Sequence, residues 1–332
     1  MYIFYQNAAE GLPKGKFVDE QVMEIGGDMK AVKKKKSLIK QFELQAMTLP
    51  GIIFLLIFSY VPMYGLILAF KNYTVLDTMA TAAWAGLENF KWAMDDEQFW
   101  SATINTIWIS VIKVIIGFPV PLILAIMIYT LKDGRYKKIS QTISYLPHFI
   151  SWIILGGMLV SWLGTNGLFN TVLIGLGMID EPISFLLEGK YYYWIAAFSD
   201  IWKEAGWGTI LYLAGMAGID PSIYEAASID GAGGLQKIRY ITIPGIKGII
   251  ALNFIMTMSG LLDSNFDQSM VLQNALNIGK SEVLNTYVYK MGVSQGNFSY
   301  ATAVGLMLSV VSLVLLLISN AATKRINDRS IL

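Results

Sequence analysis

The chain has 332 residues, of which 55% are hydrophobic and only 15% are charged. Soluble proteins carry about 45–50% apolar and about 25% charged residues, so this composition excludes a water-soluble enzyme, and the near-equal numbers of basic and acidic residues give no footprint for nucleic acid. The absence of cysteine excludes disulfides and thiolate metal sites, and the single histidine, His148, excludes a histidine-rich zinc site. The composition predicts an all-α, polytopic membrane protein.

A polar segment precedes the apolar part of the chain. Residues 1–48 carry eight basic residues, including the run Lys33–Lys36, and six acidic residues. A segment of this composition buries too little apolar surface to fold by itself. We therefore expect residues 1–43 to form a tail, disordered up to Lys36 and then a surface helix, and residues 44–332 to form the membrane domain.

Six stretches are apolar and long enough to be membrane helices, each of which needs about 20 residues. They are Leu49–Phe70, Ile104–Leu131, Ile143–Leu163, Tyr193–Gly215, Ile246–Leu262 and Ala303–Asn320. The fifth gives the weakest signal, because it is short and carries Lys247 and Asn253. The second contains Pro119 and Pro121, which predict a kink or a break in that helix.

Lysine and arginine orient the predicted spans. If the N-terminus faces the cytoplasm, the inner segments hold 18 basic residues and the outer segments hold five, while Lys113 and Lys203 lie within spans. Cytoplasmic connections of membrane proteins carry an excess of Lys and Arg. The distribution therefore predicts that both termini, and with them the tail, lie in the cytoplasm.

The predicted outer segment Tyr73–Phe99 mixes carboxylates with aromatic residues. Trp84, Phe90 and Trp92 stand among five acidic side chains. Amphipathic aromatic residues at this position suit a helix lying at the level of the lipid headgroups. Two interpretations stay open at this point, an ordinary interfacial belt and a docking surface for a partner.

The connection between spans four and five, residues 218–244, has the local chemistry of two short helices. Asp220 is a helix N-cap candidate, and Pro221 suits the first helical position of a helix that continues over Ser222–Ile229. Three glycines then predict a turn, a second helix covers Leu235–Ile243, and Pro244 opens span five. The glycines are Gly231, Gly233 and Gly234.

This connection is longer than the about 2–8 residues usual between bundle helices. Ala226 and Ala227 would let a partner backbone approach closely, while Ile223, Ile229, Ile238 and Ile241 are available for packing. The alternative is a loop helix that packs on its own domain.

One motif in this connection identifies a family. Glu225-Ala226-Ala227, then Gly231, then the pair Ile243-Pro244, resembles the EAA signature of the membrane subunits of ABC importers. Further residues resemble carbohydrate permeases of this class, and in particular the LplB-like branch, which includes permeases for uronate-bearing oligosaccharides. They are Trp202-Lys203, Tyr224, Asp230-Gly231-Ala232, Phe266-Asp267-Gln268, Leu49-Pro50-Gly51, Tyr60-Val61-Pro62-Met63-Tyr64-Gly65 and Ala69-Phe70-Lys71.

The resemblance implies the type I importer permease fold of six spans with a cytoplasmic coupling helix. It implies that Glu225 pairs with a basic or polar group of a cytoplasmic ATPase, that Ala226 and Ala227 allow close packing, and that Asp230 and Gly231 lie in the turn. Pro244 would begin the next span. The chain itself would bind no cofactor, because ATP and Mg would be used by the ATPase.

The resemblance also implies a set of partners in a bacterial plasma membrane. They are two copies of the ATPase, a second homologous permease, an extracellular solute-binding lipoprotein and an oligosaccharide substrate, of which this chain would enclose half the pathway. The sequence has no P-loop, in agreement with a permease that does not hydrolyse ATP itself.

Polar residues within spans are costly and mark candidate linings of a substrate pathway. We expect the lining to include aromatic and amide or carboxylate side chains of spans four and five, namely Trp202, Trp207, Asn253, Ser259, Asp263 and Asn265. For each of them, contact with a second permease is an equal alternative. Asp200, Lys203 and Glu204 are close in sequence, and an internal ion pair that fixes helix packing is the favoured interpretation for them.

Two other classes compete with the importer. An ion-coupled secondary transporter of a small polar solute would use the carboxylates of span four, but such transporters usually contain internal repeats, and this sequence has no convincing one. A membrane scaffold or membrane enzyme would leave the loop around Glu225 unexplained.

Overall fold

A computed structural model of the protein describes residues 45–263 and 265–327. The predicted tail, residues 1–43, lies outside the described residues. The chain separates into two units, residues 1–65 and residues 66–332. The described part of the first unit is helical, and its large apolar side chains are exposed, as lipid-facing side chains of a membrane helix are.

Helices form nearly all of the regular structure in the described residues. Their bounds are α1 Gln45–Phe70, α2 Glu88–Asp95, α3 Glu97–Thr130, α4 Arg135–Tyr145, α5 Trp152–Leu163, α6 Leu168–Gly175, α7 Gly189–Ala217, α8 Pro221–Ile229, α9 Gly234–Gly245, α10 Lys247–Ser259, α11 Phe266–Leu272, α12 Ile278–Ser281, α13 Leu284–Tyr289 and α14 Phe298–Asn327. Two short antiparallel strands, β1 (Lys71–Asn72) and β2 (Ala83–Trp84), pair with Lys71 opposite Trp84.

The membrane-spanning elements agree with an all-α, polytopic fold. In the described residues, four helical stretches are long and apolar enough to cross a membrane, namely Gln45–Phe70, Glu97–Thr130, Trp152–Gly175 and Phe298–Lys324. The bent pair α9 and α10 gives a fifth candidate. Helix α7 contains the predicted fourth span, and its 29 residues reach about 43 Å at about 1.5 Å per residue.

The predicted start of the third span is wrong. Helix α4 ends at Tyr145, a short 3₁₀ turn follows, and α5 begins only at Trp152. Pro147 lacks an N–H group and cannot continue the hydrogen bonding of α4. Ser151 starts the new helix as its N-cap, since its hydroxyl oxygen accepts a hydrogen bond from the N–H of Ile154.

The two prolines of the second span distort the helix about one turn before their own positions. Helix α3 contains a π-helical turn at Lys113–Gly117, which ends two residues before Pro119. A proline ring clashes with the carbonyl group four residues before it, here that of Ile115, and the wider π turn relieves this clash. The predicted distortion is therefore present, and it places Lys113 at an irregular point of the helix.

Helix α7 is central to the second unit. It packs against α3, α4, α10 and α12. At Gly206 the approach is so close that a Cβ atom would lie 1.8 Å from the carbonyl oxygen of Ser144. Only glycine permits this contact between two backbones, and the contact brings the end of α4 and the turn after it alongside the charged part of α7.

Buried polar side chains hold together the segments between the spans. The amide of Asn105 in α3 donates to the carbonyl oxygens of Gly279 and Glu282, and it accepts from the hydroxyl of Tyr193 at 2.6 Å. Asp96, the N-cap of α3, accepts hydrogen bonds from the Tyr287 and Tyr300 hydroxyls. Burial acts to raise the pKa of Asp96, but these bonds, together with backbone hydrogen bonds from Gln98 and Phe99, outweigh it and lower that pKa.

Candidate functional site

Two places in the second unit carry candidate functional residues. The first is a polar cluster around α7. Lys203 is buried, and its Nζ atom donates to Glu204 Oε1 at 2.8 Å and to the backbone carbonyl oxygen of His148 at 2.9 Å. The other Glu204 oxygen lies 2.7 Å from His148 Nδ1. Lys203 therefore has both a charged and a neutral acceptor, as a buried cation requires.

Asp200 belongs to a second ion pair on the same helix. Its Oδ2 atom lies 3.0 Å from Lys113 Nζ, and its Oδ1 atom accepts from the Asn265 side-chain amide at 3.2 Å. The predicted internal ion pairing is thus present, but Lys203 pairs with Glu204, while Asp200 takes its partner from α3. These contacts join α3, α7 and the residue that caps α11.

A cavity of about 410 Å³ lies beside these ion pairs, between α3, α7 and α10. One wall carries Trp207, whose ring stacks on the His148 imidazole with ring centres 4.3 Å apart. The polar residues that line the cavity include Ser110, Lys113, Asp200, Glu204, Tyr212, Asn253, Thr257 and Asp263. An aromatic face combined with amide, hydroxyl and carboxylate groups is suited to a small polyhydroxylated molecule.

The six predicted pathway residues do not all meet at this cavity. Trp207, Asn253 and Asp263 line it. Asn265 and Ser259 are not on its lining. Asn265 donates to the lining residue Asp200, and the Ser259 hydroxyl donates to the Met256 carbonyl oxygen at 2.9 Å.

Trp202 is on another face of α7. It lies in an apolar groove that also contains Trp194 and Phe198. Trp202 and Trp207 are five residues apart, which separates them by about 140° around a helix with 3.6 residues per turn. Sequence spacing alone thus already argued against one common surface for the two tryptophans.

Several lining or supporting residues were not among the predicted pathway residues, and three of them are charged or titratable. Lys113 and Glu204 line the cavity, and His148 supports both Glu204 and Trp207. A lysine within an apolar span was a usable signal for Lys113, because intramembrane charges usually have a functional or structural partner. No local pattern pairs His148 with Glu204, because 56 residues separate them.

The second candidate place is the connection between α7 and α10, and its first helix forms as predicted. The Asp220 carboxylate accepts from the Ser222 N–H at 2.9 Å, and Pro221 is the first helical residue. Hydrogen bonds from the backbone and side chain of Ser222 lower the pKa of Asp220. The carboxylate therefore remains ionised and caps the helix at neutral pH.

Helix α8 contains no buried residue. Glu225 and Ala226 are exposed and Ala227 is half-buried, while Ile229 is 87% exposed. Within the described part of the chain, most of the surface of this helix is therefore exposed, and its half-buried residues are Tyr224 and Ala227. Its small and apolar side chains leave a surface for another molecule.

The turn after α8 depends on one glycine rather than three. Gly231 has φ +80°, which side-chain-bearing residues rarely adopt, and it follows the exposed C-cap residue Asp230. Gly233 has an ordinary φ of −71° and is the N-cap of α9, where its N–H donates to Gln236 Oε1. The Lys237 ammonium group also closes the turn by donating to the Ser228 hydroxyl at 2.6 Å.

Pro244 does not open span five. It lies in the last turn of α9, and the chain bends by 66° before α10 begins at Lys247. The missing N–H of Pro244 is accommodated by a π-helical turn at Ile238–Thr242, so α9 continues to Gly245. The bend falls at Ile246, whose φ and ψ of −107° and 12° are not helical.

Tyr224 connects the exposed helix to the helices beside it. Its hydroxyl lies 2.9 Å from the Thr242 hydroxyl in α9, and its ring centre lies 6.3 Å from that of Tyr129 at the end of α3. Thr242 is buried. These contacts, together with the chain connections to α7 and, through α9, to α10, attach α8 to the elements that line the cavity.

The fold and the two sites describe a polytopic membrane protein with a polar cavity between its helices and an exposed helix in one connection. Residues 117–329 match the family of binding-protein-dependent transport system inner membrane components, and the chain belongs to this family. It is therefore a permease subunit of an ABC importer and a multi-pass plasma membrane protein. Such a subunit is not an enzyme, has no cofactor of its own, and pairs with a second permease and with ATPase subunits.

Similar proteins are known in sequence and in structure. The polygalacturonan/rhamnogalacturonan transport system permease protein YteP of Bacillus subtilis (strain 168) is 37% identical over 91% of this chain and 95% of its own length. Protein LplB of the same organism is 34% identical over 97% and 99%. A chain in the crystal structure of a bacterial alginate ABC transporter, in complex with an alginate pentasaccharide-bound periplasmic protein, is 36% identical, with a TM-score of 0.80 over 90% of this chain and 100% of that chain.

The ion pair on α7 yields a stability prediction. Lys203 is buried, whereas the Glu204 side chain is 40% exposed. Glu204→Gln leaves the Lys203 ammonium group without its charged acceptor, and we expect the free energy of unfolding to fall by about 1–2 kcal/mol. Adding Lys203→Met should recover most of that loss, because no buried charge then remains. The measurement is thermal unfolding in detergent, with Glu188→Gln, in the exposed Lys190–Glu188 pair, as a control that changes little. A double variant no more stable than Glu204→Gln would contradict this assignment.

Proposed function

We propose that this permease subunit takes part in the import of an oligosaccharide. Helix α8 would transmit the movement of an ATP-hydrolysing partner to the cavity. The observation that carries the proposal is the exposure of the Glu225-Ala226-Ala227 surface together with its attachment, through Tyr224, to helices beside the cavity. An exposed helix of small residues that is joined rigidly to a transport cavity is suited to pass a partner's movement into the membrane.

The substrate class rests on the cavity and on the relatives. Trp207 offers an aromatic face, while Asn253, Thr257 and Asp263 offer hydrogen-bonding groups to sugar hydroxyls. One relative is named as a polygalacturonan/rhamnogalacturonan permease, and a similar transporter was crystallised with an alginate pentasaccharide on its periplasmic protein. We infer that this chain supplies half of the pathway for an oligosaccharide, and that a second permease supplies the other half.

The exposed connection would dock on the ATPase. Glu225 would meet a basic or polar group, Ala226 and Ala227 would allow close backbone approach, and Asp230 with Gly231 would shape the turn that presents the helix. Pro244 would act within α9, as part of the segment that carries movement to the bend before α10. Two ATPase copies, which use ATP and Mg, would serve the permease pair.

The orientation follows from the distribution of basic residues. The α8 and α9 segment, the connection before α4 and both termini would face the cytoplasm, where ATP is available. The α2 region would face outward, towards an extracellular solute-binding lipoprotein. Trp84 and Trp92 are exposed in that region, as a docking surface or an interfacial belt would require.

The coupling assignment is tested by two variants. Glu225→Lys reverses an interface charge, and Gly231→Leu cannot adopt a φ of +80° without strain, so we expect each to lose ATPase docking. The control is Gly234→Ala, because Gly234 has no positive φ and nothing lies within 4 Å of an added Cβ atom. The measurement is co-purification of the ATPase with its substrate-stimulated activity in lipid. Retention of a fully stimulated ATPase by both variants would refute the coupling role.

The orientation is tested by labelling with an impermeant thiol reagent, which the absence of native cysteine makes possible. Asp95→Cys, at an exposed position in the α2 region, should react in intact cells, whereas Lys138→Cys, in α4, should react only after the membrane is opened. The opposite pattern would invert the topology and place α8 on the wrong side for an ATPase.

A further inference from the structure

The charges of the cavity point to a preference within the proposed substrate class, and this inference rests on the proposed function. Among the described residues that line it, the charged ones are three carboxylates and one ammonium group. Asp200, Glu204 and Asp263 supply the carboxylates, and Lys113 supplies the cation. The lining is therefore acidic, whereas a receptor for anionic sugars needs basic groups.

The one lining cation is already paired. Lys113 Nζ lies 3.0 Å from Asp200 Oδ2, and the side chains of both residues are about one-fifth exposed. A substrate carboxylate would have to share Lys113 with Asp200, whose carboxylate already neutralises that ammonium group and would repel a second negative charge beside it. Lys203 cannot substitute, because it is buried and bound to Glu204 and to the His148 carbonyl oxygen.

Sugar hydroxyl groups, unlike carboxylates, can bind favourably to the acidic lining. A hydroxyl can donate to a carboxylate oxygen, and hydrogen bonds to ionised acceptors are stronger than those between neutral groups. Asp263 lies on the lining, is exposed, and accepts from the Asn285 amide at 2.7 Å, a neutral partner that leaves its charge in place. A uronate carboxylate cannot donate at neutral pH and is repelled by that charge.

We propose that this chain's half of the pathway is a hydroxyl-selective subsite that disfavours carboxylates. Neutral sugar units pass it readily, and a uronate-bearing oligosaccharide turns its carboxylates towards the other permease. Asp263 is the residue that sets this preference, because it is the lining carboxylate whose described contacts include no cation.

The test compares two matched probes in cells that produce the complete importer, namely a digalacturonate and the neutral digalactose of the same linkage. The measured quantity is the initial uptake rate of the digalacturonate divided by that of the digalactose. Each variant's ratio is compared with the wild-type ratio, because any preference of the external binding protein is the same for all variants. Asp263→Asn should raise the uronate-to-neutral ratio by roughly two- to fivefold, the range for one partly exposed charge. Asp263→Lys should raise it further.

Two controls isolate the charge at the cavity. Asp263→Glu keeps the carboxylate and should keep the wild-type ratio. Asp267→Asn removes the same charge four residues away, at an exposed position off the cavity lining, and should also keep it. An unchanged ratio in Asp263→Asn and Asp263→Lys, with neutral uptake retained, would overturn the subsite assignment alone. Failure of the wild-type importer to take up either probe would instead count against the proposed function and against this inference with it.

Discussion

The need to neutralise charge inside an apolar helix bundle determines how this permease is built. Helix α7 carries Asp200, Lys203 and Glu204 at a depth where unpaired charge is costly. Each is satisfied by another helix or turn: Lys113 from α3, His148 from the turn after α4, and Asn265 from the start of α11. The close backbone contact at Gly206 makes the pairing with His148 possible. The same groups form the polar side of the cavity, so helix packing and the candidate pathway depend on one set of contacts.

The exposed helix and the cavity share their supporting elements. Three residues separate the end of α7 from the start of α8, and α9 leads through a 66° bend into α10. Helix α7 carries Glu204 and Trp207, and α10 carries Asn253, so both neighbours of the connection line the cavity. A displacement of α8 would therefore reach two cavity walls through covalent continuity. Tyr224 adds a lateral link to Thr242 and Tyr129, which would make the connection move as one body.

Local chemistry was sufficient to predict the elements whose causes are local. Asp220 and Pro221 predicted the start of α8 because capping depends on adjacent residues, and Gly231 predicted the turn because only its φ requires glycine. Five of the six predicted spans fall on helices, namely α1, α3, α7, α10 and α14, because apolar length is also a local property. The motif around Glu225 also identified the family, because its elements recur at fixed separations.

Features that depend on distant residues could not be predicted in this way. The pairing of His148 with Glu204 and of Lys113 with Asp200 requires the packing of α3 and α4 on α7, which no short-range pattern encodes. Pro244 was assigned to the start of span five, but tertiary packing allows α9 to absorb it through a π turn. Trp202 was grouped with Trp207 by proximity in sequence, although the helical rotation between them directs the two rings to different surfaces.

The account depends on the transmission of movement from α8 to the cavity, and the quantity that reports it is the number of saccharide molecules imported per ATP hydrolysed in proteoliposomes. Tyr224→Phe removes only the hydroxyl that contacts Thr242 and leaves the α8 surface intact. The account predicts normal ATPase docking and a lower transport ratio. Tyr240→Phe, at an exposed position of α9, should keep the wild-type ratio. A wild-type transport ratio in Tyr224→Phe would contradict the proposed transmission.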